Sequence, residues 1–184
     1  MAALNVPNVL TLFRMVMVPV FVGFVAYRDF EAALFAFLAA GVTDALDGFI
    51  ARHWNLRTAL GAILDPIADK FLLVSAFLAL ALGSGPVAVP LWLGCVVIGR
   101  DVVLLLSSTA LWLHGSRKEF RPSILGKVTT VVQTLFVGFA LLDNARGEKG
   151  ALFDPLAWLT LAATLVSGLH YLHRSLSEQP THPV

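Results

Sequence analysis

The sequence predicts an all-α integral membrane protein with six transmembrane helices in a single bundle. Three observations predict it. Of the 184 residues, 58% are hydrophobic and only 14% charged, too few charges to disperse a soluble domain of this length. Six apolar stretches each reach the ~20 residues needed to cross a hydrocarbon layer. Their periodicity is helical or featureless, without the alternation of strands, which favours a bundle over a barrel.

The first stretch spans residues 6–27, and from Val9 to Tyr27 it is interrupted only by Arg14. No Lys or Arg precedes Arg14, so the basic n-region of a signal peptide is missing and the stretch is read as a retained span. The others are 31–53, 57–82, 86–114, 124–143 and 152–173. Turn chemistry or charge separates them: Arg28-Asp29 with Glu31, His53 to Arg57, Gly83-Ser84-Gly85-Pro86, Gly115 to Pro122, and Asp143 to Gly150. Residues 1–174 form one membrane domain in this reading, and 175–184 a polar, Pro-containing, disordered tail. Cys95 is the only cysteine, which excludes an internal disulfide and a multi-cysteine zinc site. Trp54, Trp92, Trp112 and Trp158 fit interfacial belts, and the five histidines lie at span ends or in the tail. A net charge of +1 implies no nucleic-acid partner.

Basic residues set the orientation. With the break between the second and third spans in the cytoplasm, Arg52, Arg57, Arg117, Lys118, Arg121 and Arg174 share that side, against Arg28, Arg146 and Lys149 on the other. This obeys the positive-inside rule and places both termini in the cytoplasm.

Against this apolar background the second and third spans carry Asp44, Asp47, Asp65 and Asp69, alongside Arg52 and Lys70. A charge at a helix centre costs about 2.5–3.5 kcal/mol, so four unpaired carboxylates would cost about 10 kcal/mol. One intramembrane Asp is readily structural, paired with a base, but four outnumber the bases nearby. Bound cations offset the cost best. Asp44 and Asp47 are three apart and share a helical face, continued by Gly48 and Ala51; Asp65 and Asp69 are four apart, with Gly61 a turn before. The short connection predicts antiparallel neighbours with the two acidic faces opposed. Oxygen ligands without His or Cys suit Mg²⁺ or Mn²⁺ rather than zinc. Gly48, Ala51 and Gly61 allow close approach of a bulky ligand, and Arg52 can pair with phosphate.

Written out, this segment is Asp44-x2-Asp47-Gly48-x2-Ala51-Arg52-x8-Gly61-x3-Asp65-x3-Asp69, eight identities at defined spacing over 26 positions. It resembles the signature of the CDP-alcohol phosphatidyltransferases at every fixed position. The opening Asn5-Val6-Pro7-Asn8, with Leu10-Thr11 leading to Arg14, is similar to phosphatidylglycerophosphate synthases and cardiolipin synthases of that superfamily. The resemblance implies transfer of a phosphatidyl group from CDP-diacylglycerol to an alcohol, with release of CMP, in phospholipid biosynthesis. It implies two Mg²⁺ or Mn²⁺ ions held by Asp44, Asp47, Asp65 and Asp69, with Asp69 also the catalytic base. Asn8, Gly48, Ala51, Arg52, Thr58 and Gly61 would form the CDP site. It further implies a bacterial inner membrane, an active site facing the cytoplasm, membrane lipids as surroundings, and compatibility with a homodimer.

The acceptor is less sharply marked. Arg100, Arg117, Lys118, Arg121 and Lys127 form a second basic set suited to an anionic acceptor. Arg117, Lys118 and Arg121 equally suit a solvated cytoplasmic loop, and Arg100-Asp101 equally suits a local pair; Lys127 has no evident partner in sequence. Glycerol 3-phosphate, giving phosphatidylglycerophosphate, is the leading acceptor. Phosphatidylglycerol, as used by cardiolipin synthases, is the alternative, because Leu104-Leu105-Leu106-Ser107-Ser108 lacks a further Arg usual in the first branch. An intramembrane prenyltransferase would need more spans and lacks the Asp-Gly-x2-Ala-Arg continuation. A cation carrier predicts inverted repeats, and none is visible.

Overall fold

Six helices and no strand make up the described residues: α1 (Val6–Ala26), α2 (Phe30–His53), α3 (Ala59–Leu82), α4 (Leu91–Leu113), α5 (Ile124–Arg146) and α6 (Phe153–Ser177). The structure, a computed structural model, describes the backbone of residues 6–53, 59–113 and 124–177, and side chains over 12–44, 46, 68, 70–104 and 124–172. Each helix has 21 to 25 residues. The expected all-helical class is therefore observed. By length and composition, Ile124–Arg146 and Phe153–Leu172 are able to cross a membrane among the described residues; Leu12–Ala26 and Lys70–Leu82 are shorter apolar runs.

Local chemistry explains the helix ends. Arg28 adopts φ 62°, and the bonds Arg28 N–H to Val25 C=O (3.1 Å) and Asp29 N–H to Phe24 C=O (2.9 Å) close α1 with a Schellman turn. Asp29 then caps α2, its Oδ1 accepting from Ala32 N–H at 3.1 Å. Three expected boundaries move. The fourth helix begins at Leu91 rather than near 86, because Pro90 acts as its cap: the Pro90 carbonyl accepts from the Leu93 and Gly94 amides. The fifth continues past 143 to Arg146 and stops at Gly147, whose φ of 77° forms a second Schellman turn. The polarity of Asp143 and Asn144 predicts a break, yet both are buried in the last turn of α5. The sixth helix continues through Ser177, past the expected start of the tail; 178–184 lie outside the described residues.

Both polar side chains clasp connections. Val87 N–H donates to Asn144 Oδ1 at 3.0 Å, while Asn144 Nδ2 donates to the carbonyls of Val87 and Ala140, each at 2.8 Å. Asp143 Oδ2 accepts from Gly150 N–H at 3.0 Å. A Cβ on Gly85 would collide with Asn144 Oδ1 and approach Phe30 within 2.8 Å. The start of α2, the α3–α4 connection and the end of α5 thus meet at one end of the bundle, and successive helices run up and down from it. Asn144→Leu is expected to lower stability by about 2–3 kcal/mol, because the Val87 amide and carbonyl lose their partner while buried. Thermal unfolding of the purified variant in detergent checks this.

Phenylalanines and alanines interlock in the core. Phe21 of α1 meets Phe37 of α2 at 6.0 Å between ring centroids; Phe136 of α5 lies 5.9 Å from Phe77 of α3 and 5.4 Å from Phe153 of α6. Ala33, Ala36 and Ala40 line a buried face of α2 at helical spacing and let its neighbours approach closely. The principal partners of α2 are α1 and α5, and those of α3 are α1, α4 and α5. The direct α2–α3 pairing expected from their short connection is not among these principal contacts of the described residues. Helix α1 lies against both acid-bearing helices, and the side chains at the junction of α2 and α3 lie outside the described residues.

Polarity is distributed inside out. Arg14, Asp101, Thr129, Gln133, Thr164 and Ser167 are buried, whereas Phe35, Phe71, Leu135, Trp158 and Leu169 are among the large apolar side chains facing outward. Between α5 and α6, Gln133 Nε2 donates to Thr164 Oγ1 at 3.1 Å, Thr164 Oγ1 donates to Thr160 C=O at 2.7 Å, and Thr129 Oγ1 lies 3.0 Å from Ala163 C=O. Hydrogen bonds of this kind join helices where the surroundings are as apolar as the helices themselves.

Candidate metal and nucleotide site

Asp44 lies fourteen residues along α2 from its first residue, Phe30, about 21 Å from the clasped end at 1.5 Å per residue. Its Oδ1 is 2.6 Å from Nη2 of Arg14 on α1. Burial within the pair is lopsided: the Arg14 side chain is 0% exposed and that of Asp44 42%. A guanidinium this enclosed requires an anion beside it. The carboxylate stays open on part of its surface.

Asp47, Gly48, Ala51 and Arg52 follow on the same helix, and Gly61, Asp65 and Asp69 lie on α3. Asn8 lies on α1. The side chains of these eight residues, and Thr58 altogether, lie outside the described residues. Among the described residues no three potential ligands converge. The chemistry of the donor set still fits a hard divalent cation: carboxylate oxygens carried on two helices that share α1 as a neighbour, with Asp44 accessible.

The basic set has a different arrangement. Asp101 of α4 is 4% exposed and joins two cations, with Lys70 Nζ 2.6 Å from Oδ2 and Arg100 Nη1 2.7 Å from Oδ1. Arg100 Nη2 donates to Ser167 Oγ of α6 at 2.6 Å. Asp101 ties α3 to α4 through Lys70, the residue after position 69, and Arg100 extends the tie to α6. The local Arg100–Asp101 pair that the sequence allowed does form, and Lys70 enters it from another helix. Two positive charges share one negative charge, so the cluster retains a net positive charge, and Arg100 Nε is buried without a hydrogen-bond partner. Lys127 is exposed near the start of α5. Arg117, Lys118 and Arg121 lie outside the described residues.

Sequence reasoning missed two of these residues. Arg14 stands in the sequence as part of the opening block, although a lone Arg in an apolar helix is itself a signal of a buried anion. Asp101 looks in sequence like a mere neighbour of Arg100, and no local signal marks it as the centre of a network.

Fold and site together define an all-helical protein with an acid-rich segment on two helices and buried ion pairs linking them to the others. The chain belongs to the CDP-alcohol phosphatidyltransferase family, whose model matches residues 4–173. It is 37% identical over 177 residues to the CDP-diacylglycerol–glycerol-3-phosphate 3-phosphatidyltransferase of Escherichia coli K12, covering 91% of this chain and 93% of that one. It is 32% identical over 187 residues to the human cardiolipin synthase (CMP-forming) and 31% identical to that of the rat. In both cases 91% of this chain aligns, and it spans 61% of the length of those relatives.

Proposed function

We propose that this chain is an integral membrane enzyme of phospholipid biosynthesis that transfers a phosphatidyl group from CDP-diacylglycerol to a glycerol-type alcohol and releases CMP. The observation that carries the reading is the complete Asp44–Asp69 signature within a family match over residues 4–173. Glycerol 3-phosphate is the leading acceptor, supported by 37% identity along nearly the whole of the E. coli enzyme. Phosphatidylglycerol is the second reading, supported by the identity to cardiolipin synthases and by the missing Arg in 104–108.

Six helices of 21 to 25 residues with buried polar groups and outward apolar ones support a six-span membrane bundle. The basic residues support an active site facing the cytoplasm, and a bacterial inner membrane is the location proposed. In this reading Asp44, Asp47, Asp65 and Asp69 hold Mg²⁺ or Mn²⁺, two ions in all. When bound, such ions neutralise the diphosphate and its leaving group. Gly48, Ala51 and Gly61 leave room for the nucleotide; Asn8, Arg52 and Thr58 contact it. Asp69 removes the proton from the acceptor hydroxyl, whose oxygen attacks the phosphorus bearing the diacylglycerol, and CMP departs. Positioning and charge neutralisation supply most of the acceleration in such transfers. Arg100, Arg117, Arg121 and Lys127 are the proposed contacts of a phosphate-bearing acceptor. Residues 1–174 constitute the catalytic membrane domain, and a homodimer is the assembly proposed.

Purified protein incubated with CDP-diacylglycerol and Mn²⁺ tests this directly. CMP release is expected with glycerol 3-phosphate. Release with phosphatidylglycerol alone would transfer the chain to the second reading, and release with neither acceptor would overturn both.

A further inference from the structure

Arg14 and Asp44 form an unusual pair in one respect: the cation is wholly enclosed and the anion half open. An ion pair that served cohesion alone would gain from enclosing both partners, since exposure weakens their attraction. Here the guanidinium is fixed within the packing of α1 against α2 and α3, and the carboxylate is the member presented outward. We propose that Arg14 is a positioning residue that holds Asp44 by Oδ1 so that the rest of the carboxylate is oriented in advance for a divalent cation. The inference rests on the reading of Asp44 as a metal ligand. Carboxylates that ligate metals are commonly oriented by a further hydrogen bond, and loss of that partner costs about 10–100-fold in metal affinity or activity.

Two effects of Arg14 oppose each other. Its positive charge repels the incoming cation, so its removal could tighten binding. Its hydrogen bond fixes the carboxylate and ties α1 to α2, so its removal would loosen binding. The 10–100-fold range for lost orienting partners makes ordering the larger effect. Lysine separates the two, because it keeps the charge but replaces a planar fork with a single rotatable ammonium.

Mn²⁺ titration of the substrate-free protein in detergent, followed by electron paramagnetic resonance, provides the test, with helicity measured in parallel. Arg14→Met is expected to weaken Mn²⁺ binding at least tenfold and Arg14→Lys about threefold. High Mn²⁺ should recover turnover in both, a rescue that a purely structural defect would not show. Mn²⁺ affinity equal to or tighter than that of the parent in the folded variants overturns the proposal. Should Arg14→Met fail to fold, Arg14→Lys decides by the same criterion. Asp44→Asn separates this inference from the reading beneath it. If Asp44→Asn loses Mn²⁺ while the Arg14 variants do not, positioning alone fails; if Asp44→Asn binds Mn²⁺ like the parent, the metal reading of Asp44 fails and the inference with it.

Discussion

Asp69→Asn is expected to lower turnover by about 10²–10⁴-fold, the usual contribution of a positioned general base, while nucleotide affinity stays close to that of the parent. The amide matches the carboxylate in size and leaves the helical position undisturbed, but it cannot take a proton from the acceptor hydroxyl. Asp69 is also proposed as a ligand, so part of the loss could arise from weaker metal binding. The two causes separate experimentally: a ligand defect shrinks as Mn²⁺ is raised, whereas loss of the base persists at saturating metal. CMP release over a range of Mn²⁺, together with CDP-diacylglycerol binding, measures both. Turnover near that of the parent would remove Asp69 as the base.

Asp101→Leu carries the largest expected effect on stability. Asp101 is 4% exposed and partners both Lys70 and Arg100, and the Arg100 side chain is only 8% exposed. Removing the shared carboxylate strands a guanidinium in the interior, which costs about 3–5 kcal/mol. Asp101→Asn should cost less, because its amide oxygen still accepts from one of the two cations. Replacing Arg100 as well should restore part of the loss, since a buried ion pair exchanged for apolar side chains of similar volume is often neutral. Thermal unfolding in detergent for the single and double variants measures the coupling. An unchanged midpoint for Asp101→Leu would show that α3, α4 and α6 do not depend on this junction.

The sequence also misled in instructive places. Asp143 and Asn144 look like a break between helices, because polar residues after an apolar run usually mark one. Their backbone is helical because their side chains bond the Gly150 amide and the Val87 backbone, partners 7 and 57 residues away. Gly147 was the true stop signal, and its ability to adopt positive φ was legible in sequence. The expected meeting of α2 and α3 through their acidic faces falls on residues 45–69, whose side chains lie largely outside the described residues, while α1 packs against both helices.

By itself the sequence determined the helical class, the position of each helix to within a few residues, the family through the Asp44–Asp69 spacing, and the residue types available for a metal and a nucleotide. These are properties of local periodicity, composition and spacing along one chain. Only the tertiary structure decided that Arg14 holds Asp44, that Lys70 and Arg100 converge on Asp101, and that Asn144 secures the α3–α4 connection. Those partnerships depend on the rotation of each helix about its own axis and on which helices become neighbours. Packing sets both, between residues 30 or more positions apart in three of these contacts, a separation over which helical periodicity carries no information.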